Sequence, residues 1–344
     1  MNGARCAPSY DTDAPSAPAK APKSAKGAVA GGLHLGFFED EGIDLEIVEF
    51  EGTGTLLPQM VNKRVLIGYP NPDPLIISQM PDRDTLPLQF FYNVTRSSAW
   101  EVVVLEDSPV QSLTDLEGEL VGVGALTWGN IPITRAMFAD VGLTVGESVE
   151  LQPVGTGAPA FRALSTGQVA ALNLFDVQHA LLEASGTSIR RIPLEARFAD
   201  LFSNGFIAHV DTVRDQAPLL EAFGRAVARG TVACEAAPEN CVLSFWESYP
   251  AQRPTEGDAD ENLARGVTVM RSRFDKFLTF PEGQPRRFGE YPVEGWSNFV
   301  DALYEGGQIT TRDIDVSPLF TNALVDGFND FDVEAAREAG RTFR

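Results

Sequence analysis

A glycine–threonine motif that occurs twice, each time followed by the same succession of segments, constrains this chain more than any other feature. Gly52-Thr53-Gly54 recurs as Gly155-Thr156-Gly157. Counting forward from each triplet without a gap, an apolar strand-like run arrives in register, 65–69 against 169–172, and then an aspartate follows, Asp73 against Asp176. Each unit reads as a strand, a glycine turn, a helix of about three turns and a second strand, the alternation that builds parallel α/β sheets. Two such lobes facing each other make a cleft.

The 344 residues suffice for two domains with ordinary cores. No apolar run approaches the roughly 20 residues that a membrane-spanning helix needs. With 27 basic against 48 acidic residues the net charge is −21. Such a surface repels nucleic acid and anionic membranes, so neither is expected as a partner. Acidity of this kind is more often a solubility trait than the mark of a cationic ligand. Residues 1–26, rich in Ala, Pro, Ser and Lys, contain no apolar segment of the secretory type and are expected to form a disordered leader. Cys6 within them lacks the small and apolar neighbours that precede a lipidated cysteine.

Cys234 and Cys241 are seven residues apart. In one unbroken helix their Cα atoms would stand roughly 10 Å apart, too far for a disulfide. Pro238 lies between them, and a turn at Ala237-Pro238 lets them meet. A bond and a pair of buried thiols both remain open, and the bond implies an oxidising compartment.

Along the chain, 43–50 alternates apolar and acidic residues as a half-buried strand does. A helix is expected over 27–38, another over 56–62, and a strand over 65–69. Strands follow over 86–94 and 100–105, the latter as a crossing between lobes. The second lobe repeats the pattern, with strands over 120–124, 149–154 and 169–175 and a return to the first lobe near 203–206. From Val213 onward the spacing is helical, over 217–232, 263–280 and 296–304.

In open α/β sheets ligands sit beyond the carboxyl ends of the strands, where loops and helix N-termini present free N–H groups. Thr53, Gly54 and Thr55 in one lobe, with Thr156 and Gly157 in the other, offer hydrogen bonds there to a carboxylate, sulfonate or phosphate. Helix capping and tight turning account for the same residues without a ligand. The loop Thr127, Trp128, Gly129 and Asn130 opens a helix, and its tryptophan suits stacking on a flat or cationic ligand. Tyr92 and Phe175, with Tyr69, are aromatic candidates at strand ends. Asp73 and Asp176 each precede a helix, so N-capping explains both, while Asn71 and Asn173 beside them can make similar contacts. His34, His179 and His209 are scattered, and no nucleophile elbow, phosphate loop, dinucleotide fingerprint or metal-ligand spacing occurs. Binding is favoured over catalysis, and no catalytic residue, metal or cofactor is assigned.

Five stretches carry a family resemblance: LGFFEDEGIDLEIVEFEGTGT, VVVLEDSPVQSLTDLEGELVGVG, FRALSTGQVAALNLFDVQ, VEGWSNFVDALYEGGQI and DVSPLFTNALVDGFN. Through them the chain, from about Ala28 to its end, resembles the NMT1/THI5-like group of solute-binding proteins of ABC transporters. The resemblance implies a periplasmic-binding-protein fold of the second type, two α/β lobes joined by two crossing strands. Lobe 1 is then 27–98 with 206–344, and lobe 2 is 99–205. It also implies an extracytoplasmic monomer, periplasmic or at the cell surface, that captures a small polar molecule and passes it to a membrane permease. Family ligands are sulfonates, taurine, nitrate and a pyrimidine precursor of thiamine. The cleft-lining segments match 53–55, 71–73, 127–130, 156–157 and 173–176. Family members open with a strand and a ligand-contacting loop, where this chain shows a proline-rich leader. A missing strand and a weakened first lobe are the expectation. The alternative is an enzyme on the same scaffold, similar to pyrimidine-precursor synthases. Their cysteine-rich motif with paired histidines does not occur here. A ligand-sensing regulator would need a helix-turn-helix segment, which the N-terminus does not supply.

Overall fold

A computed structural model describes residues 35–342, together with Ala4–Arg5 and Gly32. Its strands are β1 (Ala4–Arg5), β2 (Ile43–Asp44), β3 (Ile67–Gly68), β4 (Leu88–Asn93), β5 (Trp100–Leu105), β6 (Leu120–Val123), β7 (Glu150–Pro153), β8 (Ala171–Phe175), β9 (Ile189–Arg191) and β10 (Gly205–His209). They form a pair, β1-β2, a three-stranded sheet, β3-β10-β4, and a five-stranded sheet, β7-β6-β8-β5-β9. Each larger sheet is the centre of one lobe.

The inner strands of the five-stranded sheet, β6, β8 and most of β5, are buried on both faces, which explains their largely apolar runs. Val102, Val104, Val121 and Val123 pack with Ile133 and Met137 of the helix Ile131–Asp140. On the opposite face Val103, Leu172 and Leu174 pack with Ala160, Ala163 and Leu164 of the helix Ala158–Ser165. β6 runs parallel to β7 and β8, the geometry expected of the repeat. β5 is antiparallel to β8 and β9, and β10 is antiparallel to β3 and β4. Both antiparallel strands are entered from a crossing between lobes, with at most the one-turn helix Ala196–Ala199 before β10, and not from a helix that crosses over their own sheet to make a parallel connection.

The crossing itself is not β5, as the sequence suggested, but residues 94–99 just before it. The return runs through residues 192–204 into β10, near the expected place. Where they pass, the two crossings hydrogen-bond to each other: Thr95 N–H donates to Asn204 O at 3.0 Å, Ser203 N–H to Thr95 O at 2.7 Å and Ser98 N–H to Ala199 O at 3.1 Å.

Other boundaries shift for local reasons. The strand expected over 43–50 is reduced to β2, and the rest runs irregularly with Ile47 and Val48 exposed. The first glycine turn is part of its helix, Thr53–Val61, whose first residues are the motif's own Thr53 and Gly54. Ala4–Arg5, inside the expected leader, pairs in parallel with Ile43–Asp44, so a short first strand stands where one was expected to be missing. The remainder of the leader, most of the helix expected over 27–38, and His34 lie outside the described residues.

Toward the C-terminus the helix Ala217–Ala236 stops at Ala237, and Pro238 opens the helix Pro238–Ser248. This break brings Cys234 and Cys241 to a Cα separation of 5.0 Å, and they form a disulfide. Helices Ala259–Phe277 and Val293–Glu305 complete the wall around the sheets. Among the described residues no helix is long and apolar enough to cross a membrane.

Candidate functional site

Between the two sheets lies a cavity of about 260 Å³. Thr53, Tyr69 and Asn71 line it from the first lobe, and Trp100, Trp128, Gly129 and Phe175 from the second. Arg273, from the helix Ala259–Phe277, is its cationic lining residue, and residues 45–50 border it with Glu46 and Glu49. Ligand pockets commonly measure roughly 300–1,000 Å³, so a small solute fits this one.

Aromatic rings make up much of the wall. Trp128 stands 5.7 Å from Trp100 and 5.9 Å from Phe175 between ring centroids, and Trp100 meets Phe175 edge-on at 6.0 Å. The Trp128 ring lies on the α-carbon of Gly124, where a Cβ would come within 2.0 Å of it. Only glycine permits that approach. Such rings favour flat or apolar ligand bodies.

Polar contacts tie the lobes together around the cavity. Asp73, wholly buried, accepts Ile133 N–H at 2.9 Å and Asn71 Nδ2–H at 2.5 Å. A first-lobe carboxylate thus caps the second-lobe helix Ile131–Asp140 at its third residue, where unpaired N–H groups and the positive end of the helix dipole attract an anion. Burial pushes its carboxyl up to about 7, against the pull of these hydrogen bonds. Asn71 Oδ1 accepts Trp100 Nε1–H at 3.1 Å. Arg273 Nε and Nη2 grip Asp176 at 2.5–3.0 Å, with both side chains almost fully buried. Burial, the largest influence, works against the Arg273 charge, but Asp176 and Tyr69 together outweigh it and the guanidinium pKa is raised. Burial likewise raises the Tyr69 hydroxyl, which bonds Thr95 Oγ1 at 2.7 Å.

Of the residues that sequence singled out, Thr53, Asn71, Trp128, Gly129 and Phe175 come together on the cavity wall. Gly54 and Thr127 join the lobes instead, Gly54 N–H donating to Thr127 O at 3.2 Å. Thr55 Oγ1 is turned back to Gly52 O at 2.9 Å. Asp73 and Asp176 stand behind the wall as described, and Asp176 also accepts Val177 N–H at its own helix start. Asn130 and Asn173 are buried in a chain of bonds through Thr134, whose hydroxyl reaches Asn173 Oδ1 at 2.7 Å. Tyr92 belongs to the first-lobe core, against Phe206 and Phe328. Thr156 and Gly157 are not among the lining residues, and Gly157 N–H is taken by Gln178 Oε1 at 2.6 Å.

Sequence reasoning passed over Trp100, Asn204 and Arg273. Arg273 carried a signal: it follows Met270 by three residues and precedes Phe277 by four, so it shares the apolar stripe of its helix. Among the described residues no cluster of three or more His, Cys, Asp or Glu is placed to hold a metal.

Comparison with curated protein sequences finds no match. Among solved structures, the alkanesulfonate-binding protein SsuA from Xanthomonas axonopodis pv. citri, bound to MOPS, is 15% identical with a TM-score of 0.64, covering 87% of this chain and 95% of its own. The periplasmic aliphatic sulphonate binding protein SsuA from Escherichia coli is 13% identical with a TM-score of 0.60, covering 86% and 90%. The desulfurization enzyme DSZB is 14% identical with a TM-score of 0.57, covering 88% and 95%. These likenesses establish the periplasmic-binding-protein fold. A family profile described as NMT1/THI5 like matches residues 28–241, and the chain belongs to that family.

Proposed function

We propose that this protein is the extracytoplasmic solute receptor of an ABC importer, closing its lobes, 27–98 with 206–344 and 99–205, around a small polar organic molecule. The observation that carries this reading is the cavity between the sheets, walled by both lobes and by aromatic rings. The sulfonate-binding roles of the two SsuA proteins, on the same fold, support it. The solute is a small ring-bearing or zwitterionic compound, a sulfonate, a taurine-like molecule or a pyrimidine. Closure buries it, so affinity depends on the open–closed equilibrium as well as on contacts. The permease receives the closed form, and the receptor works as a monomer.

An enzyme on this scaffold is the second reading, and the fold shared with DSZB favours it. Against it, the cavity lining contains neither cysteine nor histidine among the described residues. Thermal unfolding with millimolar sulfonates, pyrimidines, amines and aromatic acids separates the two. A ligand at 100 times its Kd stabilises by about 2.7 kcal/mol. A shift for one class, with the compound recovered unchanged by mass spectrometry, is the expected result. Conversion of the bound compound would establish the enzyme, and no shift with any class would overturn the receptor.

A further inference from the structure

We propose that Asp176 sets the charge preference of the cavity: by holding Arg273, it withdraws the cationic lining side chain from ligand binding and makes the site select solutes without net negative charge. This rests on the receptor reading above and narrows its solute.

The geometry is specific. A guanidinium recognises an anion through either of two two-pronged edges; Asp176 occupies the Nε–Nη2 edge at 2.5–3.0 Å and neutralises the charge that an anion at the Nη1 side would otherwise meet. Asp176 is itself fixed, since its carboxylate accepts Val177 N–H at 2.7 Å and its own N–H donates to Ala99 O at 2.9 Å. A ligand anion taking that edge would have to displace a buried carboxylate pinned to a helix start and strip it of its cationic partner. Among the described residues the other charged side chains at the cavity, Glu46 and Glu49, are acidic, so none adds a second cation for an anion to meet.

Several donors that an anion could use elsewhere on the wall are also engaged. Asn71 Nδ2 donates to Asp73, Asn204 Nδ2 to Tyr69 O at 3.1 Å and Trp100 Nε1–H to Asn71 Oδ1. A sulfonate with three acceptor oxygens would enter a wall several of whose donors are already paired with protein groups. A neutral ring with one hydrogen-bonding group loses far less, because its apolar body is covered by Trp100, Trp128 and Phe175.

The test uses probes of matched shape and different charge: benzenesulfonamide against benzenesulfonate, and nicotinamide against nicotinate. Binding is read by calorimetry and tryptophan fluorescence on the full chain. For the unaltered protein we expect the uncharged member of each pair to bind at least tenfold more tightly. Asp176→Asn should reverse or abolish that ratio, the anion gaining at least tenfold. The double variant Asp176→Asn/Arg273→Gln, which carries no unpaired buried cation, should lose the anion's gain and keep the neutral probe, and it serves where the single variant fails to fold. An anion preference in the unaltered protein, or a ratio that ignores Asp176→Asn, would overturn the proposal while leaving the receptor standing. Absence of binding by every probe would overturn the proposal, and with no shift across the wider thermal screen it would overturn the receptor as well.

Discussion

At the residue scale, the most consequential group is Asp73, a carboxylate buried at the junction of the lobes and pushed up by burial from 3.8 to about 7. Between these values the folded protein holds a proton that the unfolded chain has released, so the contribution of this group to stability is fullest below about pH 4, falls as pH rises toward 7 and then levels off. At about 1.36 kcal/mol per pH unit the effect of this one group reaches about 4 kcal/mol. Asp73→Asn should flatten the decline in unfolding midpoint between pH 5 and 8, which denaturant titrations at fixed ionic strength will show; an unchanged slope would remove Asp73 from the account. The same residue marks what sequence can and cannot disclose. Its position before a helix was legible, but it caps a helix 60 residues away in the other lobe, and no local pattern encodes that. Arg273 was hidden differently, as a charge on an apolar stripe whose partner lies 97 residues earlier in the chain. Tyr92 stood out as an aromatic at a strand end, and because β4 is buried on both faces its sequence lacks the alternation that would show which side meets the cavity.

At the element scale, the repeated modules were legible because glycine turns and apolar runs are local. Their orientation was not. The first glycine turn meets the second lobe, with Gly52 backed by Thr127 and Trp128, whereas a Cβ at Gly155 or Gly157 would meet nothing within 4 Å. Two matching turns therefore take different roles, since the ring cluster of Trp128 and Phe175 supplies the second lobe's share of the wall. The proline break was likewise readable, and its outcome is testable. The Cys234–Cys241 bond closes a loop of seven residues. A loop that short restricts the unfolded chain by about 2 kcal/mol. Cys234→Ser/Cys241→Ser should lower stability by that amount in chemical denaturation, without altering solute affinity because neither residue lines the cavity. A loss of affinity would show that the two helices and the binding wall are mechanically coupled.

At the scale of the whole molecule, the relation between the lobes governs function, and it is the part the sequence disclosed least. Gly129 sits where they meet. A Cβ there would stand 2.6 Å from Thr53 Oγ1 and 3.0 Å from Asn71 Cβ, both on the opposite lobe. Gly129→Ala should wedge the lobes apart, raising the radius of gyration in small-angle scattering and weakening solute binding at least tenfold, with little change in unfolding midpoint. Scattering indistinguishable from the unaltered protein would mean that the gap absorbs a methyl group. The two crossings have a consequence of their own. Because Thr95 is stitched to Asn204 and Ser203, neither strap is free to twist alone, and an opening of the lobes is expected to follow one axis, like a book on a double-thickness spine, with sideways shear suppressed.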